Sequence, residues 1–448
     1  MVKVHSKIKI VALILVLIWA APCFAKPKDK QPRTSTLSGE STAQNIARIN
    51  LYNFGSHVAR FGHLKGDNSI AAVFIQINKE RRITCITAIS IPDGKLIWQK
   101  GSPNLANFAI SSDVPLQVYD WNQDGSDDLI YYDAGRINVL NGFDGTLQTS
   151  SESEQPYSLY ILSTNQFGGP AGLILHGRTF NSLLAPDLST VWRVSNGFSH
   201  FPMSVDIDFD GEPELLAGYI LLKSNGDILW DKQELGIHSD ASAYGDVNSD
   251  GIVDLAIATS GRAALVRANG ETVWRGDEFH AQHIVVGSFR PKNQEQQVVT
   301  MDRDRALRGI MRMYNSRGAL LWKSSGHGNR AMLSRLDNWI MNAPSSLLLV
   351  SRSFRAPPTL YDGAGRIVEQ FPFPPAASRI AGKETFSLHF TQHFDMDNDG
   401  REEIFIYNEK SLWIYRNKAK ILGIQGGKTP QSLPNPRIFN STFYTGMQ

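Results

Sequence analysis

Four segments of the chain match one another residue for residue: DWNQDGSDDLIYYD from Asp120, DIDFDGEPELLAGY from Asp206, DVNSDGIVDLAIAT from Asp246 and DMDNDGREEIFIYN from Asp395. Each reads D-x-D/N-x-D-G-x-x-D/E and runs at once into an apolar, strand-like stretch. Degenerate copies near Gly62, Gly168, Gly287 and Asp337 keep the turn and the following strand while losing most carboxylates. Units of this kind cannot bury their apolar faces alone and must stack on one another, so a repeat architecture overrides any domain count drawn from length. The position of the ninth acid, or its equivalent, recurs at steps of roughly 40 to 57 residues, the length of a four-stranded propeller blade.

Oxygen side chains at positions 1, 3, 5 and 9 around a tight glycine turn are what a hard divalent cation such as Ca²⁺ requires, with a main-chain carbonyl near position 7. The expected ligand sets are Asp120, Asn122, Asp124 and Asp128; Asp206, Asp208, Asp210 and Glu214; Asp246, Asn248, Asp250 and Asp254; and Asp395, Asp397, Asp399 and Glu403. No helix pattern follows and no Glu stands at position 12, so these are loops between strands and not EF-hands. A single loop is equally well explained as a metal-free Asx turn. Four copies that all keep the ninth acid favour calcium.

A second marker recurs downstream of each loop: a short turn, usually with Gly, then an apolar residue and Trp, ending at Trp98, Trp192, Trp230, Trp274 and Trp322. Thr149, Glu369 and Leu422 stand at the corresponding place in the three remaining units. A Trp repeated at one place in each blade is expected to pack between neighbouring sheets. Eight loops interleaved with eight hairpins predict an all-β fold, a single eight-bladed β-propeller over residues 46–425, with seven blades as the alternative. The loop motifs resemble the FG-GAP/VCBS class of integrin-type calcium-loop propellers over about residues 50–425, and the hairpins resemble the quinoprotein-like repeat. The stretch from Val118 to Leu147 is also similar to the propeller of rhamnogalacturonan lyases and related polysaccharide lyases. Those enzymes resemble a longer chain with an added β-domain, for which this sequence has no room. The resemblance implies fold and metal more than activity, because one propeller type is used by adhesion proteins and enzymes alike.

Residues 1–25 combine a basic start, an uncharged run from Ile10 to Ala21 and small residues ending at Ala25, the pattern of a secretory signal peptide. The protein is therefore expected to be secreted or periplasmic. No later segment reaches 18 consecutive apolar residues, so no membrane span is expected. Residues 26–45, rich in Lys, Pro and Ser, read as a disordered leader, and residues 426–448 as a tail that packs on or closes the propeller. Cleavage after Ala25 would remove Cys23 and leave Cys85 the only thiol, which excludes an internal disulfide. The formal charge of +2 becomes −1 once Lys3, Lys7 and Lys9 are gone, too little positive charge for a nucleic-acid binder. A monomer is expected.

In this blade type the loops lie on one face, and the residues before each inner strand gather on the other, around the channel mouth. Seven of the 11 histidines occupy such positions: His200, His238, His280, His283, His327, His389 and His393. Neutral imidazoles from several blades could bind Zn²⁺. Alternatively, His or Tyr with Arg could abstract a proton α to a uronic carboxylate while the cation neutralises it, which is polysaccharide lyase chemistry. The site residues expected to matter most are His238, His280, His327 and Arg330, with Arg308, Arg312 and Arg335 in the same half of the ring. No nucleophilic triad, phosphate loop or adjacent Cys pair for a quinone is present. Two functions follow: a calcium-binding propeller that presents a His/Arg-rich mouth to a glycan or an exported protein, or a lyase acting on an acidic polysaccharide.

Overall fold

The computed structural model describes residues 41–419, apart from 106–113, 196, 291–294, 307, 341–342, 354–355, 374, 381–382 and 387. The segments expected to be a signal peptide (1–25) and a C-terminal tail (426–448), with most of the expected leader, lie outside the described residues. Eight four-stranded antiparallel sheets are present, with one additional two-stranded hairpin. Blades 1 to 7 are each made of four consecutive strands, over residues 59–101, 116–152, 158–194, 203–231, 239–275, 281–325 and 332–370. Blade 8 takes its three inner strands from Phe390–Phe394, Glu403–Tyr407 and Ser411–Asn417. The fold is therefore all-β and eight-bladed, and the seven-bladed alternative is set aside. Among the described residues, helix is limited to three-residue turns such as Asn165–Phe167 and Gln233–Leu235.

Burial explains why each strand reads as it does. Second strands are buried at nearly every position, fully so in Ala71–Ile77 and Leu347–Ser351 and with only Tyr132 and Asp133 half-buried in Asp128–Asp133, so they read as largely apolar runs. Fourth strands lie at the outer rim and are largely exposed, as in Leu147–Glu152 and Ile228–Asp231. First strands of successive blades contact one another and so line the axis.

The rim tryptophans pack between sheets, as expected, and also bond across them. The indole N–H of Trp98, Trp192, Trp230, Trp274 and Trp322 donates to the carbonyl of Gly142, Ser224, Ala268, Ser316 and Gly363 in the next blade, at 2.6–3.1 Å. The glycine of that neighbouring turn lies flat on the ring. At Gly318, with φ +76°, an added Cβ would come within 2.6 Å of Trp274.

The ring closes through the beginning of the chain. Ala43–Asn50 pairs antiparallel with Ser411–Asn417 as the outer strand of blade 8. Ordered strand therefore starts at Ala43, inside the segment expected to be a leader through residue 45. The cause is Glu369, the residue that replaces the rim Trp in blade 7. Its carboxylate accepts hydrogen bonds from Ser41 Oγ and the backbone N–H groups of Thr42 and Ala43 at 2.8–3.1 Å. Among the described residues, no helix is long and apolar enough to cross a membrane.

Candidate functional site

Each inner strand has two ends, and each end carries a different cluster of polar groups. At one end, the four acidic loops share a backbone conformation. Position 4 is left-handed in every copy, at Gln123 (φ 61°), Phe209 (φ 60°), Ser249 (φ 60°) and Asn398 (φ 57°). Position 6 is left-handed glycine in all of them, from φ 85° to 91°. The first Asp closes each turn by accepting the N–H of that glycine at 2.8–3.0 Å. The ninth acids are buried, at 0–2% exposure for Asp128, Glu214, Asp254 and Glu403. Burial raises the carboxyl of each above its usual range, with Asp128 pushed up to about 6.

The donors fit a hard cation. The carboxylates of Asp206, Asp208 and Asp210 lie within 4.8 Å of one another, as do those of Asp395, Asp397 and Asp399. In blade 2, Asp120 Oδ1 is buried without a hydrogen-bond partner, a cost that a bound cation would remove. The loops differ in what faces the ninth acid across the sheet. In blade 5 this is Arg267, whose Nη1 lies 2.6 Å from Asp250 and 3.6 Å from Asp254. In blade 8 it is Arg416, 2.7 Å from Glu403 and also paired with Asp397. Blades 2 and 4 have Asn141 and Lys223 at the corresponding position, and among the described residues no ion pair reaches their loop acids.

At the opposite end, three of the expected histidines converge on a residue that sequence reasoning missed. Asp240, 3% exposed, lies 3.4 Å from His200 Nε2, 3.2 Å from His238 Nε2 and 3.0 Å from His280 Nε2. Gln282 donates its amide to Asp240 Oδ1 at 2.9 Å, and the Tyr157 hydroxyl lies 2.7 Å from His200 Nδ1. Burial alone would raise the Asp240 carboxyl, but hydrogen bonds from His238 and His280 and the nearby imidazole charge hold it at about 2. Register shifts at the start of two inner strands, between Ser239 and Ala241 and between Ala281 and His283, create the bulges that carry Asp240 and Gln282. Phe198 packs 5.7 Å from His200 and 5.8 Å from His238. The Arg81 and Arg178 guanidinium groups lie 5.8 and 5.9 Å from the Tyr157 ring.

Other expected residues do not join this cluster. His327 is buried between Ser324, at 3.0 Å, and the Tyr361 ring, at 5.7 Å, and burial lowers its pKa to about 4. Arg330 is exposed in the turn beyond it. Arg308, Arg312 and Arg335 are paired with Asp304, Asp302 and Asp337 at 2.8–3.0 Å, so their charge is already engaged. His389 accepts from the Arg352 N–H at 3.0 Å, and His393 pairs with Glu402 at 2.9 Å. His283 is fully buried below the cluster, and desolvation lowers its pKa to about 3. The signal that could have revealed Asp240 is a lone acid two residues after His238, at the start of the otherwise uncharged strand Ser239–Gly245.

No protein-family model matches the chain, and no curated protein matches it in sequence. The FG-GAP/VCBS resemblance therefore rests on the four loops themselves. Among solved structures, the exotype rhamnogalacturonan lyase YesX superposes with TM-score 0.59 at 16% identity, covering 81% of this chain and 72% of that one. The Bacillus licheniformis rhamnogalacturonan lyase PL11 gives 0.58 at 15% identity, with the same coverage of 81% and 72%. The V. cholerae biofilm matrix protein Bap1 gives 0.54 at 12% identity, over 86% of this chain and 90% of its own. At these identities the likeness is one of fold, and it spans proteins described as enzymes and a protein described as a matrix component.

Proposed function

We propose that the protein is an exported, calcium-stabilised propeller that binds an acidic glycan at the mouth formed by Tyr157, His200, His238 and His280. The observation that carries this reading is the convergence of side chains from three neighbouring blades on Asp240, beside the Arg81 and Arg178 guanidinium groups. Aromatic faces suit sugar rings and guanidinium groups suit carboxylates, so a uronic polymer meets both needs. Calcium belongs to the oxygen loops and zinc chemistry to the imidazoles. The test is retention of the protein on pectic and other uronic polysaccharides against neutral ones. His200→Ala and His238→Ala should each weaken retention while the circular-dichroism spectrum stays that of the folded β-protein, and equal retention on neutral polymers would overturn the reading.

One observation favours lyase activity as a second reading. The Tyr157 hydroxyl and His200 Nδ1, 2.7 Å apart, form a proton-transfer pair at the mouth. One member could take the proton α to a uronate carboxylate while the neighbouring arginines stabilise the enolate-like charge, and the other could protonate the departing glycosidic oxygen as its C–O bond breaks and the C=C bond forms. Incubation with pectic substrates, followed by ultraviolet absorbance of the unsaturated uronate product, separates binding from cleavage.

A further inference from the structure

Three of the mouth donors have the geometry of a metal site. The ligand atoms of His200, His238 and Asp240 lie within 4.8 Å of one another. His200 Nε2 lies 3.4 Å from Asp240 Oδ1 and His238 Nε2 3.2 Å from Asp240 Oδ2, so the carboxylate turns one oxygen to each imidazole and either oxygen is within reach of an ion held between the two rings. The donors sit on backbone that is fixed across two blades. Ser199 and Ser239 form a parallel bridge, with His200 N donating to Ser239 O at 3.0 Å and Ser239 N to Phe198 O at 3.1 Å. His200, His238 and Asp240 thus flank one short zipper between blades 4 and 5.

The surrounding groups behave as outer partners of coordinating atoms. The Tyr157 oxygen, 2.7 Å from His200 Nδ1, is placed to accept that N–H, so Nε2, which faces Asp240, is the nitrogen a metal would take in exchange for its proton. Gln282 fixes one carboxylate oxygen and His280 the other, at 2.9 and 3.0 Å. The exposure is graded: Asp240 is 3% exposed, while His200 and His238 are 17% and 22% exposed. The carboxylate is anchored in the wall, and the imidazoles meet water in the mouth.

We propose that His200, His238 and Asp240 bind one transition-metal dication of the zinc type, with a fourth position turned to the channel mouth. Two imidazoles and a carboxylate favour such a metal over calcium, which takes six to eight oxygens. Three protein ligands with an exchangeable fourth are the pattern of a reactive metal centre, whereas structural zinc is closed by four. The site stands on its donors and does not depend on the glycan reading. If an acidic glycan binds here, its carboxylate is the group suited to the fourth position.

The test is calorimetric titration of the full chain with Zn²⁺ in buffer that holds millimolar calcium, so that the oxygen loops do not compete. The expected result is a single zinc per chain, together with the visible absorption of a four-coordinate complex when Co²⁺ replaces zinc. His238→Ala should lower zinc affinity by more than roughly 100-fold, and His280→Ala, as a positioning residue, by about 10- to 100-fold. His327→Ala should leave it unchanged. Absence of zinc binding, or zinc held equally well by a folded His238→Ala variant, overturns the proposal. If the variants fail to fold, a Co²⁺-loaded parent lacking the four-coordinate spectrum overturns it as well. Retention on pectic polysaccharide, measured on the same samples, reports on the glycan reading separately.

Discussion

The loops of blades 2 and 4 and those of blades 5 and 8 carry the same motif and the same backbone, yet they are not equivalent. In blades 5 and 8 an arginine from the third strand, Arg267 or Arg416, already lies against the acids. Blades 2 and 4 have only Asn141 and Lys223 at that place, while an unpartnered buried carboxylate oxygen occurs in both groups, at Asp120 in blade 2 and Asp254 in blade 5. A guanidinium neutralises carboxylates by ion pairing and hydrogen bonding, so it competes with a metal for the same charge. The nine-residue motif therefore specifies a turn, while the cross-strand neighbour decides how much that turn gains from a cation. Calcium should bind more tightly to the first pair than to the second.

The largest effect expected from this difference is on thermal stability. With calcium at about 100 times its dissociation constant, each occupied site adds about 2.7 kcal/mol, so two sites add roughly 5 kcal/mol. Chelation should lower the melting temperature accordingly. A variant carrying Asp120→Ala and Asp206→Ala should lose most of that response, and one carrying Asp246→Ala and Asp395→Ala should keep it. The reverse pattern in calorimetric melts would break the comparison.

A smaller effect is expected from removing the internal cation. Arg416→Leu leaves Glu403, which is 0% exposed, without its partner and should cost about 2 kcal/mol in chelator, discounted for the partly exposed arginine. Added calcium should restore this stability, and calcium per chain measured by elemental analysis should rise. No rise would mean that the arginine is not what limits occupancy.

Acid should separate the loops of blades 2 and 4 from each other. Asp128, raised to about 6 by burial, is half protonated near that pH in the metal-free protein, so binding below it must displace a proton. Measured in an Asp206→Ala background, calcium affinity at the Asp120 loop of blade 2 should fall about tenfold between pH 7 and 5. The smallest change is expected from Lys223→Arg, which places a guanidinium opposite Glu214 and should weaken calcium at loop 4 by a few-fold in titration calorimetry.

The repeat made the blade count, the common face of the loops and the placement of His200, His238 and His280 legible before any coordinates. These follow from spacing alone. Three other features were not legible, each for a local reason. Asp240 joins the mouth through a β-bulge, and one extra residue leaves no mark in an apolar pattern. Glu369 reads as a failed Trp marker until its contact with Thr42 and Ala43 is seen. His327 shares the spacing of the mouth histidines but turns inward against Tyr361, and spacing cannot report which way a turn directs a ring.

The pairing of Ala43–Asn50 with Ser411–Asn417 makes the fold a test of its own intactness. Blade 8 cannot form until both of those strands are in hand, and they are joined by nearly the whole ring. A chain cut between them, or stalled before the last strand, keeps an open sheet edge and bares the apolar flanks of its neighbours. Such a species would be recognised by proteases and prone to pairing with other chains, while in the closed ring Ser411–Asn417 is covered by Ala43–Asn50, which takes over as the outer edge. The quality of the product is thereby decided at a single place, where the first strand meets the last.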